Sequence, residues 1–184
     1  MVIYMVMNYK EALEKYKTKY NLNKAIKNKE IHKIDKGLYS FDNDYNYLDL
    51  LIKKYPYLII NDRSAFFYLG LTDEIPEKIN ISTKQKNRKI IDNQLDQTFE
   101  SEKLYGLGAI EVEINNTKIK IYNKERMLIE LIRNKAKYDY SYYKCLILEY
   151  RKIIDELDIH LLNEYLKKFK KGKYILKKLN EEVF

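Results

Sequence analysis

The run AIEVEINNTKIKIY, residues 109–122, leaves this chain the least conformational freedom. Ile110, Val112 and Ile114 alternate with glutamates, and after Asn115-Asn116 the alternation resumes with Ile119 and Ile121 set against Lys118 and Lys120. Alternation of period two on both sides of a pair of asparagines specifies an antiparallel hairpin, because asparagine tolerates the left-handed backbone of a two-residue turn. The next segment, NKERMLIELIRN, changes to a helical period: Asn123 can cap it, and Met127, Leu128, Leu131 and Ile132 form its inner face. A hairpin running straight into an amphipathic helix implies an α+β protein.

At 184 residues the chain is long enough for a packed core, and its two prolines and five glycines leave long uninterrupted elements. No run approaches the roughly 18 apolar residues of a membrane span, so no membrane partner is expected. The opening MVIYMVM lacks a basic flank and stops at Asn8, too short for the apolar region of a signal peptide, and a cytoplasmic protein is expected. The single cysteine, Cys145, excludes an internal disulfide, and its place in YYKCLILEY predicts a core thiol. The formal charge of +8 points to an acidic partner, although 30 of the 35 basic residues are lysine in a chain equally rich in asparagine, isoleucine and tyrosine. Distribution says more: residues 1–40 carry a local +5 and residues 160–184 a local +4, a pattern that fits a nucleic-acid arm or a solvated tail.

Tyr9, Leu13 and Tyr16, then Leu22, Ala25 and Ile26, fall at helical intervals, and IHKIDKGLYSF reads as two brief strands turning at Asp35-Lys36-Gly37. Helix, turn, helix and basic hairpin outline a winged helix-turn-helix over residues 1–42, shortened at its front because residues 1–7 leave little room for a leading helix. Asn21, Asn23, Lys24, Lys27 and Asn28 lie on or near its second helix, and Lys33 and Lys36 on the wing. Asparagine pairs two-pronged with adenine, and no arginine precedes Arg63, so a base-reading module of this kind should favour A·T-rich sites. The same outline also describes an ordinary packing module. The polar DNDYNYLD serves as the linker, and a second module is expected over residues 45–184.

Within that second module, Leu48, Leu51 and Ile52 make a helical face ended by Pro56, YLII is a short buried strand, and Asn61 or Asp62 can cap the next helix. That helix brings Ser64 and Tyr68 onto one face; Gly70 suits the C′ position with Leu71 as its hydrophobic contact, and Thr72-Asp73-Glu74 turns toward Pro76 and a strand on Ile79 and Ile81. The two hydroxyls either lie exposed or tie the turn together. Arg126 and Arg133, two turns apart, project on the same side of their helix and suit either a two-pronged grip on a carboxylate or phosphate or a structural ion pair. Helices are expected at roughly 141–156, 158–169 and after Gly172. Nothing favours an enzyme: His32 and His160 are far apart in sequence, no zinc-type ligand set exists, and neither YGLGAI nor KKGKY has phosphate-loop spacing. No metal and no cofactor is expected. A metal-dependent nuclease on the 110–121 hairpin is the weakest alternative, since Lys118-Ile119-Lys120 lacks the needed acidic residue.

The order YPYLIINDRSAFFYLGLTDEIPEKINIST, then IKIYNKERMLIELIRNKAKYD, resembles the AbiEi antitoxin family of abortive-infection, type IV toxin-antitoxin systems. The residues that carry the likeness are Ser64, Ala65, Tyr68, Gly70, Leu71, Thr72, Asp73 and Pro76, then Glu125, Arg126, Leu131, Ile132, Arg133 and Asp139. YNLNKAIKNKEIHKIDKGLYS likewise resembles the recognition helix and wing in front of that domain, so the likeness spans roughly residues 19–180. It implies a winged helix that represses its own operon, on A·T-rich operator DNA with inverted repeats, followed by a mixed α/β antitoxin domain with a helical C-terminus. That domain would neutralise a nucleotidyltransferase-type toxin functionally, without a tight complex. Ser64, Tyr68, Thr72, Arg126, Arg133 and Asp139 would form its working surface. The alternative is a DNA-binding regulator with no toxin.

Overall fold

The computed structural model describes residues 5–184. Residues 1–4, on which the reading of the opening segment as too short for a leading helix or a signal peptide partly rests, lie outside the described residues. The chain is an α+β protein that divides into two compact units, Met1–Tyr57 with Asn115–Lys118, and Leu58–Ile114 with Ile119–Phe184.

In the first unit, β1 (Met7–Asn8) leads into α1 (Tyr9–Tyr16) and α2 (Lys19–Lys27), followed by β2 (His32–Asp35), β3 (Leu38–Ser40) and α3 (Tyr47–Lys54). Asn8 and Glu11 form a reciprocal capping box that starts α1, and Thr18 caps α2 by accepting from the Asn21 N–H. The tight joint between the two helices puts Lys17 at a φ of +68°. The three strands pair antiparallel in the order β1-β3-β2, so the expected hairpin gains a partner strand from the opening segment. Met7, Ala12, Leu22, Ala25, Ile31 and Tyr39 close one apolar core; Val6, Leu38 and Leu50 close another.

The second of these clusters explains a boundary that differs from the expected one at residues 42–45. Leu50 buries α3 against Val6 and Leu38, Asp49 accepts a hydrogen bond from the Val6 N–H at 2.6 Å, and Lys53 and Lys54 pair with Glu11 and Asp35. Helix α3 therefore belongs to the first unit rather than heading the second.

A five-stranded sheet of order β6-β5-β4-β8-β7 is built from β4 (Ile59–Ile60), β5 (Ile79–Lys84), β6 (Leu95–Glu100), β7 (Ala109–Ile114) and β8 (Thr117–Tyr122), all in the second unit except the first two residues of β8. Asn115 and Asn116 both have positive φ, the signature of the two-residue turn expected between β7 and β8. Helix α4 (Asp62–Tyr68) follows β4, and two bonds end it: the Gly70 N–H donates to Phe67 O at 3.0 Å and the Leu71 N–H to Phe66 O at 2.9 Å. This is a Schellman motif with Leu71 buried, as the sequence leads one to expect. Strands β4 and β5 are antiparallel, while β6 runs parallel to β5 through the whole register from Ile79↔Leu95 to Lys84↔Glu100. The connection 85–94 is pinned by Gln97, whose side chain reaches Thr83 Oγ1, Arg88 O and the Ile90 N–H.

Four helices complete the unit: α5 (Lys124–Arg133), α6 (Tyr140–Lys152), α7 (Ile159–Leu166) and α8 (Gly172–Glu182). Asn123, Asp139 and Asp158 cap the first three. Glu125 accepts from the Asp158 N–H at 3.0 Å, and the buried Tyr150 hydroxyl donates to Lys124 O at 3.0 Å, which fixes the start of α5 against its neighbours. Cys145 is exposed, against the core position expected for it. The buried line of α6 runs through Tyr142, Leu146 and Tyr150, with Tyr143 and Ile147 beside it, and position 145 falls on the other side of that helix.

Asp49 offers a test of the first unit's packing. Asp49→Ala strands the buried Val6 N–H and is expected to cost about 1–3 kcal/mol, whereas Asp49→Asn keeps an acceptor and should cost less. Urea unfolding of the two variants would measure the difference, and equal losses would show that the bond does not matter.

Candidate functional site

Arg126 organises the polar centre of the second unit. Its side chain is fully buried. Nε donates to Glu130 Oε1 at 3.1 Å, Nη1 donates to Leu104 O at 3.0 Å with Leu107 O at 3.5 Å, and the guanidinium lies over the rings of Tyr122 and Phe169 at 4.8 and 4.9 Å. Nη2 sits 2.7 Å from Glu130 Oε1, an ion pair whose alignment falls outside hydrogen-bond geometry, so its N–H groups have no aligned acceptor among the described residues. One turn of the chain makes this possible. Gly108, at a φ of +78°, passes so close to α5 that a Cβ there would meet the Arg126 Cβ and Asn123 Oδ1, each at 2.8 Å.

Arg133, half-exposed, donates to both oxygens of Glu130 at 3.0 and 3.1 Å, and Glu100 Oε1 lies 3.5 Å from it and 3.8 Å from Arg126 Nη2. Two arginines thus hold two carboxylates at the wall of a cavity of ≈ 140 Å³. Burial, and then the neighbouring Glu130 charge, pushes the Glu100 carboxyl up, against the opposing pull of the arginines.

Asn61, Asp62 and Tyr138 also line the cavity. Asn61 precedes α4 but makes no side-chain cap: its amide donates to Thr98 Oγ1 at 2.7 Å, and its buried Oδ1 has no partner among the described residues. Asp62 holds a φ of +47°, uncommon for a residue with a Cβ, and its carboxylate accepts from the Tyr138 hydroxyl at 2.7 Å. Burial raises the Asp62 carboxyl, and burial together with that carboxylate raises the Tyr138 phenol. A left-handed residue, an unspent acceptor and an unspent cationic donor converge on one cavity. Such features gather where a ligand completes the bonding. Neither histidine nor cysteine lines the cavity, whose polar groups are amide, carboxylate, phenol and guanidinium.

The sequence-based set divides. Arg126 and Arg133 meet at this cavity, in the ion-pair arrangement that was one of the two readings for them. Ser64, expected on the working surface, is instead fully buried: its Oγ accepts from the Asn80 N–H at 2.8 Å, and its single proton has Lys78 O and Asn80 Oδ1 in reach. It ties α4 to β5, the other role open to it. Thr72 Oγ1 accepts from the Glu74 N–H at 3.1 Å and closes the turn. Tyr68 is half-buried against Phe67, burial raises its phenol, and its hydroxyl takes no partner among the described residues. Asp139 caps α6 by accepting from the Tyr142 N–H and the Ser141 hydroxyl, with Arg63 Nη2 at 3.5 Å. Asn61, Glu100 and Glu130 are the residues that sequence reasoning missed; the one available signal was that Glu130 stands four after Arg126 and three before Arg133.

On the first unit, Asn23, Lys24 and Lys27 are exposed on α2 and Lys33 and Lys36 on the hairpin, none with a side-chain partner among the described residues. Tyr20 adds an exposed ring on α2. Asn21 and Asn28 are committed elsewhere, donating to Tyr16 O and Glu30 Oε1. Among the described residues no cluster of three or more metal-ligating side chains occurs, and no helix is long and apolar enough to cross a membrane.

No family model matches the chain, and no curated protein matches it in sequence. Among solved structures it is similar to the RV2827C protein from Mycobacterium tuberculosis, with a TM-score of 0.58 and 13% identity over 94% of this chain and 71% of that one. At that identity the likeness is one of fold.

Removing Arg126 breaks a buried charge network, so Arg126→Ala is expected to cost about 3–5 kcal/mol of stability. Arg133→Ala, at a half-exposed pair, should cost about 1 kcal/mol or less. Comparable losses in chemical denaturation would mean that burial does not separate the two. For Glu100, the folded state holds the proton more tightly than the unfolded one, so its ionisation costs stability as pH rises from the ordinary value of 4.5 through the raised one. Glu100→Gln should therefore gain on the unsubstituted chain across that window; a difference that stays flat with pH would contradict the assignment.

Proposed function

We propose that this chain is an AbiEi-like antitoxin of a type IV toxin-antitoxin system, in which the first unit acts as a winged helix-turn-helix repressor of its own operon and the second neutralises a nucleotidyltransferase-type toxin. The observation that carries the DNA-binding half is the unspent face of α2. Tyr20, Asn23, Lys24 and Lys27 recur every three to four residues along one exposed side, next to a basic hairpin in a sheet of order β1-β3-β2. Asn23 is the free base-reading side chain, which favours adenine, and the lysines supply phosphate contacts. Operator DNA that is A·T-rich, arranged as inverted repeats, is the expected partner.

The antitoxin half rests on the motif order from Ser64 to Pro76 and from Glu125 to Asp139. Its geometry narrows the working residues. Ser64, Thr72 and Asp139 shape the scaffold, while Arg133, Tyr68 and the Asn61–Arg126 cavity offer groups to a partner. The exposed α2 face bears on DNA alone, so a regulator without a toxin is the second reading.

Full-length protein separates the two halves. Lys24→Ala with Lys27→Ala should lower the slope of log affinity against log salt for operator DNA by about 1.8, from about 0.9 per phosphate contact, while leaving rescue of cells that co-express the neighbouring toxin intact. Arg133→Ala should do the reverse, losing rescue and keeping the salt slope. Joint loss of both activities in either variant would refute the division of labour, and absence of rescue by the unsubstituted, well-expressed chain would leave the regulator alone.

A further inference from the structure

The turn between α7 and α8 carries Lys167, Lys168, Lys170 and Lys171, and the first turn of α8 adds Lys173, with no acidic residue from 165 to 180. Lys167 pairs with Glu164, but Lys168, Lys170, Lys171 and Lys173 are exposed and form no ion pair among the described residues. A charge run of this kind is often a solvated face. Three features set this one apart.

The first is shape. Four of these lysines line a groove of ≈ 830 Å³ whose floor includes Leu166, Phe169 and Leu176, and no acidic side chain lines it. The second is an aromatic ring in the open: Tyr174 stands at the groove 58% exposed, beside the lysines rather than folded beneath them. The third is rigidity. Gly172 is held so close to the end of α7 that a Cβ would lie 2.1 Å from the Leu166 carbonyl oxygen. The Lys168 N–H bonds to Tyr165 O at 2.8 Å, the Phe169 N–H to Leu166 O at 3.1 Å and the Gly172 N–H to Phe169 O at 3.2 Å. The backbone that carries the lysines is therefore fixed before any partner arrives, and Phe169 beneath them is clamped under Arg126 and Arg133.

We infer that this groove binds single-stranded nucleic acid, the lysines tracking the phosphates and Tyr174 stacking against a base. Charge complementarity selects a polyanion, and the exposed ring favours unpaired bases over an acidic polypeptide, because every base has a face that can stack and a carboxylate has none. Lysines act as point charges without a two-pronged geometry, so the surface would be tolerant of sequence. This site is separate from the α2 face and does not depend on whether a toxin is neutralised.

The test is fluorescence anisotropy with a short, mixed-sequence, fluorescein-labelled single-stranded RNA and full-length protein carrying Lys24→Ala and Lys27→Ala, which removes two of the first unit's phosphate contacts. Binding is expected to persist in that background. Adding K170A, K171A and K173A should lower the salt slope by about 2, at about 0.7 per phosphate for a single strand, while the matching lysine-to-arginine variant should retain it. Tyr174→Ala, at an exposed position, should weaken binding about fivefold or more without changing the slope. Circular dichroism checks that each variant is folded. The inference is overturned if the triple substitution leaves binding unchanged, if binding disappears with the first-unit substitutions alone, if Tyr174→Ala has no effect, or if a polyglutamate peptide of equal charge competes as well as RNA.

Discussion

A permanently charged guanidinium in the interior of the second unit is the constraint on which most of that unit's detail depends. Arg126 cannot escape its charge by losing a proton, and an isolated charge in such a place would be prohibitively unfavourable. The surroundings supply what water would: the Glu130 carboxylate, the carbonyls of Leu104 and Leu107, and the faces of Tyr122 and Phe169. Each compensating group comes from a different part of the chain. The 104–107 turn, β8, α5 and the segment after α7 are therefore all tied to one side chain, and Glu100 at the end of β6 joins through Arg133.

That compensation is incomplete at Nη2, and Asn61, which lines the same cavity, holds an unpartnered acceptor. A buried acceptor and a buried donor with capacity to spare are unusual in a finished core, where polar groups are almost always matched. The left-handed Asp62 adds a local cost in backbone energy at the same spot. The first unit tells a complementary story at its surface, where Asn8 and Thr18 are used to cap helices while the outward side of α2 is left uncommitted.

What could be read from the sequence was local. The β7–β8 hairpin, the Asn123 cap and the glycine-terminated α4 each follow from a few adjacent residues, and each is found at the expected positions. What could not be read depends on partners distant in sequence. Strand β6, LDQTFE, has too little apolar alternation to announce itself and is held by its parallel pairing with β5 and by the Gln97 and Thr98 side chains. The opening strand and the attachment of α3 depend in the same way on Val6 meeting Asp49, Leu38 and Leu50. At the candidate site, the two arginines stood out because arginine is scarce here, whereas Glu100 and Asn61 look like any polar residue until the fold brings them to the same cavity. The sequence leaves Ser64 open between an exposed and a tying role, and only the resemblance puts it on a working surface; Asn80 receives it in the interior, so the tying role is the one it fills.

The close approach at Gly108 is a demand of the scaffold rather than of the charge it helps to bury. A side chain at 108 would clash with the Cβ of residue 126, an atom that every amino acid except glycine possesses, and with Asn123 and Tyr165, but not with the guanidinium. The requirement for glycine would thus survive replacement of the arginine. A glycine is therefore set at this place by the backbone and by the scaffold of α5, whatever side chain comes to occupy the cavity beside it.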